Sequence, residues 1–227
     1  MSNVCIIPAR GGSKRIPRKN IKLFLGKPII SYSIEMALST GLFDEVMVST
    51  DDKEIASIAI EYGARVPFFR SEDTSNDYST TMDVLEEVIS QYRSLGQEYD
   101  VVCCLYPTAV LSKMEDIQKG YQLLKEADMV LPVTEFSFPP LRSFKVSNQG
   151  FAEYCYPEHI NTRSQDLETW FHDAGQWYWF QTETLFMSSS KIRKRVLKLS
   201  NMQVQDIDNK DDWDLAELKF KILQNHV

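Results

Sequence analysis

Val4-Cys5-Ile6-Ile7-Pro8-Ala9-Arg10-Gly11-Gly12-Ser13-Lys14-Arg15-Ile16-Pro17-Arg18-Lys19-Asn20 decides how the rest of this chain is read. The apolar run Val4 to Ile7 stops at Pro8 and gives way to a loop with two adjacent glycines. A helical pattern over Ile29 to Ser39, closed by Gly41, follows. Strand, glycine loop and helix in that order open an α/β fold whose ligand sits at the carboxyl ends of the strands. Adjacent glycines let a ligand approach the backbone and expose amides to an anion, while Arg and Lys side chains surround it with mobile charge. A triphosphate is the natural guest of such a loop. Two common nucleotide fingerprints fail on spacing: there is no GxGxxG, and Gly26-Lys27 is followed by Pro28 without the upstream glycine of a GxxxxGK[ST] loop.

Outward from this loop the strand–helix rhythm continues. Glu45 to Ser49 reads as a second strand, and Asp51 with Glu54 has the form of a capping box opening a helix that ends at Tyr62-Gly63. A helix over about Thr80 to Leu95 places Val84, Leu85, Val88, Ile89 and Tyr92 on one face. Val101 to Leu105 is an unbroken apolar strand of the kind buried on both faces, and a helix over Glu115 to Glu126 leads into the strand Met129 to Val133. The expected fold is therefore α/β, with a doubly wound, mainly parallel sheet. The pattern breaks at Phe136, and residues 136–180, rich in Pro, Tyr, Phe and Trp, read as an insertion with a hairpin around Asn148-Gln149-Gly150. Val196 to Leu199 and an amphipathic helix over Asp212 to Leu223 then resume the core pattern.

The composition fits one domain of 227 residues, 43% hydrophobic and 25% charged, which excludes fibrous, coiled-coil and disordered classes. A compact monomer of this mass should expose ~10,600 Å². The longest apolar run is a few residues and the first residues lack the apolar core of a secretory leader, so no membrane partner is expected. The cysteines at 5, 103, 104 and 155 form no CxxC, which points away from a disulfide framework or structural zinc and toward a reducing cytoplasm. The net charge of -7 excludes a general nucleic-acid binder, yet residues 1–30 hold seven Lys and Arg and no acid. Five of these cations fall between Arg10 and Lys19, so the partner is a compact, highly charged anion.

Near the other end stands Gln205-Asp206-Ile207-Asp208. In an extended segment, carboxylates two apart share a face, giving a hard oxygen site suited to Mg²⁺. The competing reading of the pair is a charged turn capping the terminal helix. Asp211, Asp212 and Asp214 fit the first turn of that helix through its dipole. His159 and His172, each among aromatic residues, read as packing side chains, and no general base is assigned.

The stretch Ile6 to Asn20, with Val48-Ser49-Thr50-Asp51 after it, resembles the acylneuraminate cytidylyltransferase family, which couples CTP to 2-keto acid sugars. The resemblance extends over almost the whole chain and implies the Rossmann-like nucleotidyltransferase fold. It places Arg10, Gly11, Gly12, Ser13, Lys14, Lys19 and Asn20 at the nucleotide and makes Arg70, with Ser71-Glu72 and then Asp77 to Thr81, the base-reading segment. An Arg there can donate to the O2 and N3 acceptors of cytosine. Within the family, Asn161-Thr162-Arg163-Ser164-Gln165-Asp166 and His172-Asp173-Ala174-Gly175-Gln176 are similar to the branch that activates pseudaminic acid. By the same resemblance Arg142, Arg163, Gln165 and Gln176 meet the acidic sugar, residues 136–180 form a dimerisation arm, and Asp206 and Asp208 hold Mg²⁺, for which Mn²⁺ can substitute. Lys19, Arg10 and Asp208 are then the expected catalytic residues. Leu105-Tyr106-Pro107-Thr108-Ala109 departs from the Leu-Gln-Pro-Thr-Ser of sialic acid enzymes, which points away from sialic acid.

Overall fold

Alternate residues of the apolar strands supply two separate cores, one on each side of a single sheet. On β1 (Asn3–Pro8), Cys5 and Ile7 face one core while Val4 and Ile6 face the other; on β3 (Val101–Leu105), Val101, Cys103 and Leu105 oppose Val102 and Cys104. This period-two division follows from strand geometry. The first core is covered by α1 (Ile29–Ser39), α2 (Lys53–Glu61) and α4 (Met114–Leu123), through Ile30, Ile34, Ile55, Ala59 and Ile117. The second is covered by α3 (Thr81–Ser94), whose Leu85, Val88, Ile89 and Tyr92 lie on the face expected from the sequence. The chain is thus doubly wound. The computed structural model describes residues 1–224.

The sheet has seven strands. β2 (Glu45–Ser49) and β3 flank β1 in parallel, and β7 (Lys194–Lys198) runs parallel to β4 (Met129–Glu135). Between β3 and β4 lies β6 (Trp177–Gln181), antiparallel to both, and β5 (Phe171–Asp173) adds an antiparallel pairing to β4. The expected insertion over 136–180 is corrected here: residues 171–181 belong to the central sheet. Trp177 and Trp179 are fully buried in the first core and Phe180 in the second, so the aromatic wealth that marked this stretch as separate is largely core packing. The excursion from the sheet is shorter, residues 136–170, and contains the hairpin Phe144–Val146 with Ala152–Tyr154.

Two local assignments also shift. The N-cap of α2 is Asp52, whose carboxylate accepts from the amides of Glu54 and Ile55; Asp51 faces the glycine loop instead. The terminal helix, α5, spans Lys210–Gln224, and Asn209 and Asp212 cap it reciprocally, each side chain accepting from the other's amide at 3.0 Å. A capping box stands instead at the start of α3, Thr80 with Asp83. Cys5, Cys103 and Cys104 are buried free thiols and Cys155 is an exposed one. No helix among the described residues is long and apolar enough to cross a membrane.

Candidate active site

The carboxyl end of β1 opens into a cleft of about 540 Å³. The basic loop forms one wall through Arg10, Ser13, Lys14, Arg15, Lys19 and Asn20, and the segment before α5 contributes Asp206 and Asp208. Arg70, the first turn of α3 with Thr80 and Thr81, and Tyr106 to Thr108 after β3 complete it. Loop and acidic segment lie at opposite ends of the chain, and the sheet brings them together: Lys19 Nζ donates to the carbonyl of Ile207 at 2.7 Å and lies 3.8 Å from Asp208 Oδ1. Arg15 Nη1 bonds Asp208 Oδ2 at 2.8 Å. Burial holds the Lys19 ammonium below the usual lysine range, against the opposing pull of Asp208 and Asp206. Burial and the like charge of Asp208 push the Asp206 carboxyl above the ordinary aspartate value, and no cation pairs with Asp206 among the described residues.

The two glycines serve different ends. A Cβ on Gly11 would lie 2.8 Å from Asp52 Oδ2, and its amide already donates to Asp51 Oδ1 at 2.8 Å. Gly11, expected to offer its amide to the nucleotide, instead packs the loop against the end of β2, which corrects its role. A Cβ on Gly12 would meet nothing within 4 Å beyond its own chain neighbours, so open space remains there for a ligand. Asn20 is buried and its amide nitrogen donates to the Arg10 carbonyl at 2.9 Å, bracing the loop across its base. Arg18, in the left-handed region at φ 56°, turns to Asp52 and Glu54, and this pairing with the α2 cap holds the Asp52 carboxyl at about 2.

Arg70 is buried; its Nε donates to Ser49 Oγ at 3.1 Å and its Nη2 to the Ser49 carbonyl at 2.6 Å. These bonds fix the guanidinium at the rim of β2, where it lines the cleft. Thr81 Oγ1 and the Tyr106 hydroxyl are 2.7 Å apart. Burial raises the Tyr106 phenol to about 12, so it stays protonated at neutral pH.

The expected sugar-binding residues do not converge on this cleft. Arg142 bonds Ser164 at 3.3 Å, Arg163 bonds Asp166 at 2.7 Å, and Gln165 is exposed, all on the excursion 136–170. Gln176 does not line the cleft: it is buried, its Oε1 accepts from Ser112 Oγ at 3.1 Å and its Nε2 donates to the Gln203 carbonyl, so it braces the chain beneath β6. Asp77, expected in the base-reading segment, lies against Arg10 and Lys14 of the basic loop, and Tyr106 is a cleft residue that the sequence left without a role. An acid in a polar loop carries no periodic signal, and only the fold places Asp77 beside Arg10 and Lys14.

An α/β sheet with a cationic glycine loop at the end of its first strand, facing a pair of carboxylates, defines a nucleotide-binding protein built for phosphate chemistry. A family model described as "Cytidylyltransferase" matches residues 4–216, and the chain belongs to that family. It is 43% identical, over 100% of its length and 98% of the relative's, to a "Pseudaminic acid cytidylyltransferase" of Campylobacter jejuni. It is 32% identical, over 99% of its length and 98% of the relative's, to a "CMP-N,N'-diacetyllegionaminic acid synthase" of Legionella pneumophila. Among solved structures, a CMP:2-keto-3-deoxy-manno-octonic acid synthetase complexed with CTP superimposes with a TM-score of 0.73 at 19% identity, covering 99% of this chain and 100% of the other, and shares the fold.

Proposed function

We propose that this protein transfers CMP from CTP to the anomeric hydroxyl of a nine-carbon 2-keto sugar acid, pseudaminic acid, with release of pyrophosphate. The observation that carries the reading is the juxtaposition of Lys19 with the Asp206–Asp208 pair across one cleft, at the mouth of a loop rich in cations. The full-length similarity to a pseudaminic acid cytidylyltransferase supports the choice of sugar.

In this reading Arg10 and Lys14 neutralise the β- and γ-phosphates, and Ser13 and the open face at Gly12 leave room for them. Lys19 stands at the α-phosphate and stabilises the charge that builds there as the sugar hydroxyl attacks in line. Its half-buried position strengthens that interaction, since water screens it less. Arg70, fixed by Ser49, reads cytosine through its remaining N–H donors, which favours an unprotonated N3 over the N–H of uracil. Asp206 and Asp208 are the residues that would hold Mg²⁺. Two hard carboxylates on one face, one of them without a cation, fit that ion, and Asp208's carboxylate takes no part in capping α5. Bound there, the metal supplies Lewis-acid charge to phosphate oxygens, and Mn²⁺ shares its oxygen preference.

The excursion 136–170 is a dimerisation arm in this reading. Phe138 is 85% exposed and Phe151 73%, and the chain exposes 12,551 Å², well above the ~10,600 Å² of a compact monomer. A pair of chains would place Arg142, Arg163 and Gln165 at the partner's cleft, where a guanidinium can grip the sugar carboxylate. Pyrophosphate release with CTP, Mg²⁺ and a panel of 2-keto acid sugars, with products read by mass, tests the function. A CMP conjugate of pseudaminic acid is the expected product; turnover confined to another acid sugar refutes the choice of sugar, and none with any refutes the transfer. Light scattering that finds only a ~26 kDa species at micromolar concentration refutes the dimer.

A further inference from the structure

The cations assigned to the terminal phosphates are already paired with an anion of the protein. Arg10 Nη1 bonds Asp77 Oδ1 at 2.8 Å and donates to the neighbouring Asn76 carbonyl at 2.9 Å, and Lys14 Nζ pairs with the other carboxylate oxygen of Asp77. Both cations hold that carboxyl below the usual aspartate range. One Asp thus occupies the two groups that a pyrophosphate moiety would need.

The loop bearing Asp77 is built to keep its shape whether or not that pairing is made. Its root is held by Glu87 of α3, which accepts from the Ser71 amide at 2.9 Å, from the Ser71 hydroxyl at 2.9 Å and from the Thr74 hydroxyl. Its turn is closed by Asn76, whose Oδ1 accepts from the amides of Tyr78 at 2.8 Å and Ser79 at 3.0 Å. Across the cleft mouth, the side chains that tie the tip to the basic loop are Arg10 and Lys14. Tyr78, next to Asp77, is 94% exposed and adds no packing.

We propose that Asp77 is a built-in competitor for the pyrophosphate subsite: it yields Arg10 and Lys14 to the β- and γ-phosphates of CTP and takes them back when pyrophosphate leaves. This rests on the reading of Arg10 and Lys14 as phosphate residues. The competition acts on any ligand that reaches both cations. CTP and pyrophosphate bind less tightly than the bare cations would allow, whereas CMP, which lacks the terminal phosphates, is unaffected. The gain is in product release, because the carboxylate is covalently tethered beside the subsite and recloses faster than a second anion arrives. It also keeps two like charges paired in the free protein.

The test is Asp77→Asn in the full chain, with CTP and CMP binding measured by calorimetry and pyrophosphate measured as an inhibitor competing with CTP. The bridges are partly exposed, so the variant should bind CTP and pyrophosphate more tightly by on the order of 3- to 10-fold, with CMP affinity unchanged and kcat lowered by slower release. Weaker pyrophosphate binding would show that Asp77 orients the cations rather than competing for them, and an unchanged inhibition constant would show no competition; either overturns the proposal. Arg10→Gln separates this from the underlying reading. If Arg10→Gln leaves pyrophosphate inhibition unchanged, the phosphate assignment itself fails. If Arg10→Gln weakens inhibition and Asp77→Asn does not strengthen it, the competitor alone is refuted. CMP affinity reports a folded cleft in each variant.

Discussion

Asp208→Asn keeps the shape of its side chain and removes one negative charge from the cleft, and the structure separates its effect on turnover from its effect on folding. Asp208 Oδ2 lies 2.8 Å from Arg15 Nη1, and the Arg15 side chain is 71% exposed, so this pair contributes between ~0 and 1 kcal/mol to stability. The Lys19 contact, at 3.8 Å, is longer still. The cap of α5 does not depend on this carboxylate: Asp212 Oδ2 accepts from the amides of Asp208 and Asn209, both at 3.0 Å, and Asn209 accepts in return. A thermal midpoint lowered by no more than about 4 °C is therefore expected, since 1 kcal/mol moves a chain of this size by ~2–4 °C. Turnover should fall much further. Loss of one preorganised electrostatic group at a phosphate centre costs ~100- to 1,000-fold in kcat. Asp212→Ala is the control, because it removes the cap and leaves Asp208: it should lose about 1 kcal/mol of stability and keep most of its turnover. Midpoint and pyrophosphate release measured on the same samples decide the matter. Near-normal turnover in Asp208→Asn with a midpoint lowered as in Asp212→Ala would mean that the acidic segment is a helix-capping turn after all.

Three further outcomes are expected. Lys19 acts protonated and burial depresses its pKa, so its charge is present at low pH and lost as pH rises through a value below the ordinary 10.5; kcat/KM should show that alkaline limb, and Lys19→Arg should remove it. An unmoved limb would assign the titration to another group. Gly12→Ala should fold normally and bind CTP more weakly, whereas Gly11→Ala, pressed against Asp52, should lose roughly 1–3 kcal/mol of stability in denaturant titration; equal stability of the two would refute the packing role of Gly11. Arg70→Met should erode the preference for CTP over UTP in competition turnover by on the order of 10-fold or more, and an unchanged ratio would remove Arg70 from base reading.

What the sequence determined by itself is local and periodic. The strand–glycine loop–helix order from Val4 to Ser39 gave the fold class, because alternation and helical spacing decide which face of each element is buried. The acid-free run of cations located the anion-binding end, since charge density can be read without coordinates. Tertiary structure decided everything that depends on residues distant in the chain. It brought Lys19 to the carbonyl of Ile207, 188 positions further along the chain, and beside Asp208; it set Asp77 on Arg10 and Lys14, and it exchanged the roles of Asp51 and Asp52. Residues 171–181 escaped the sequence reading for a physical reason: a strand between β3 and β4 is buried on both faces, so Trp177, Trp179 and Phe180 lack the polar alternation that marks a half-exposed strand. Only pairing to both neighbours distinguishes such a strand from an aromatic insertion, and pairing is a property of the folded chain.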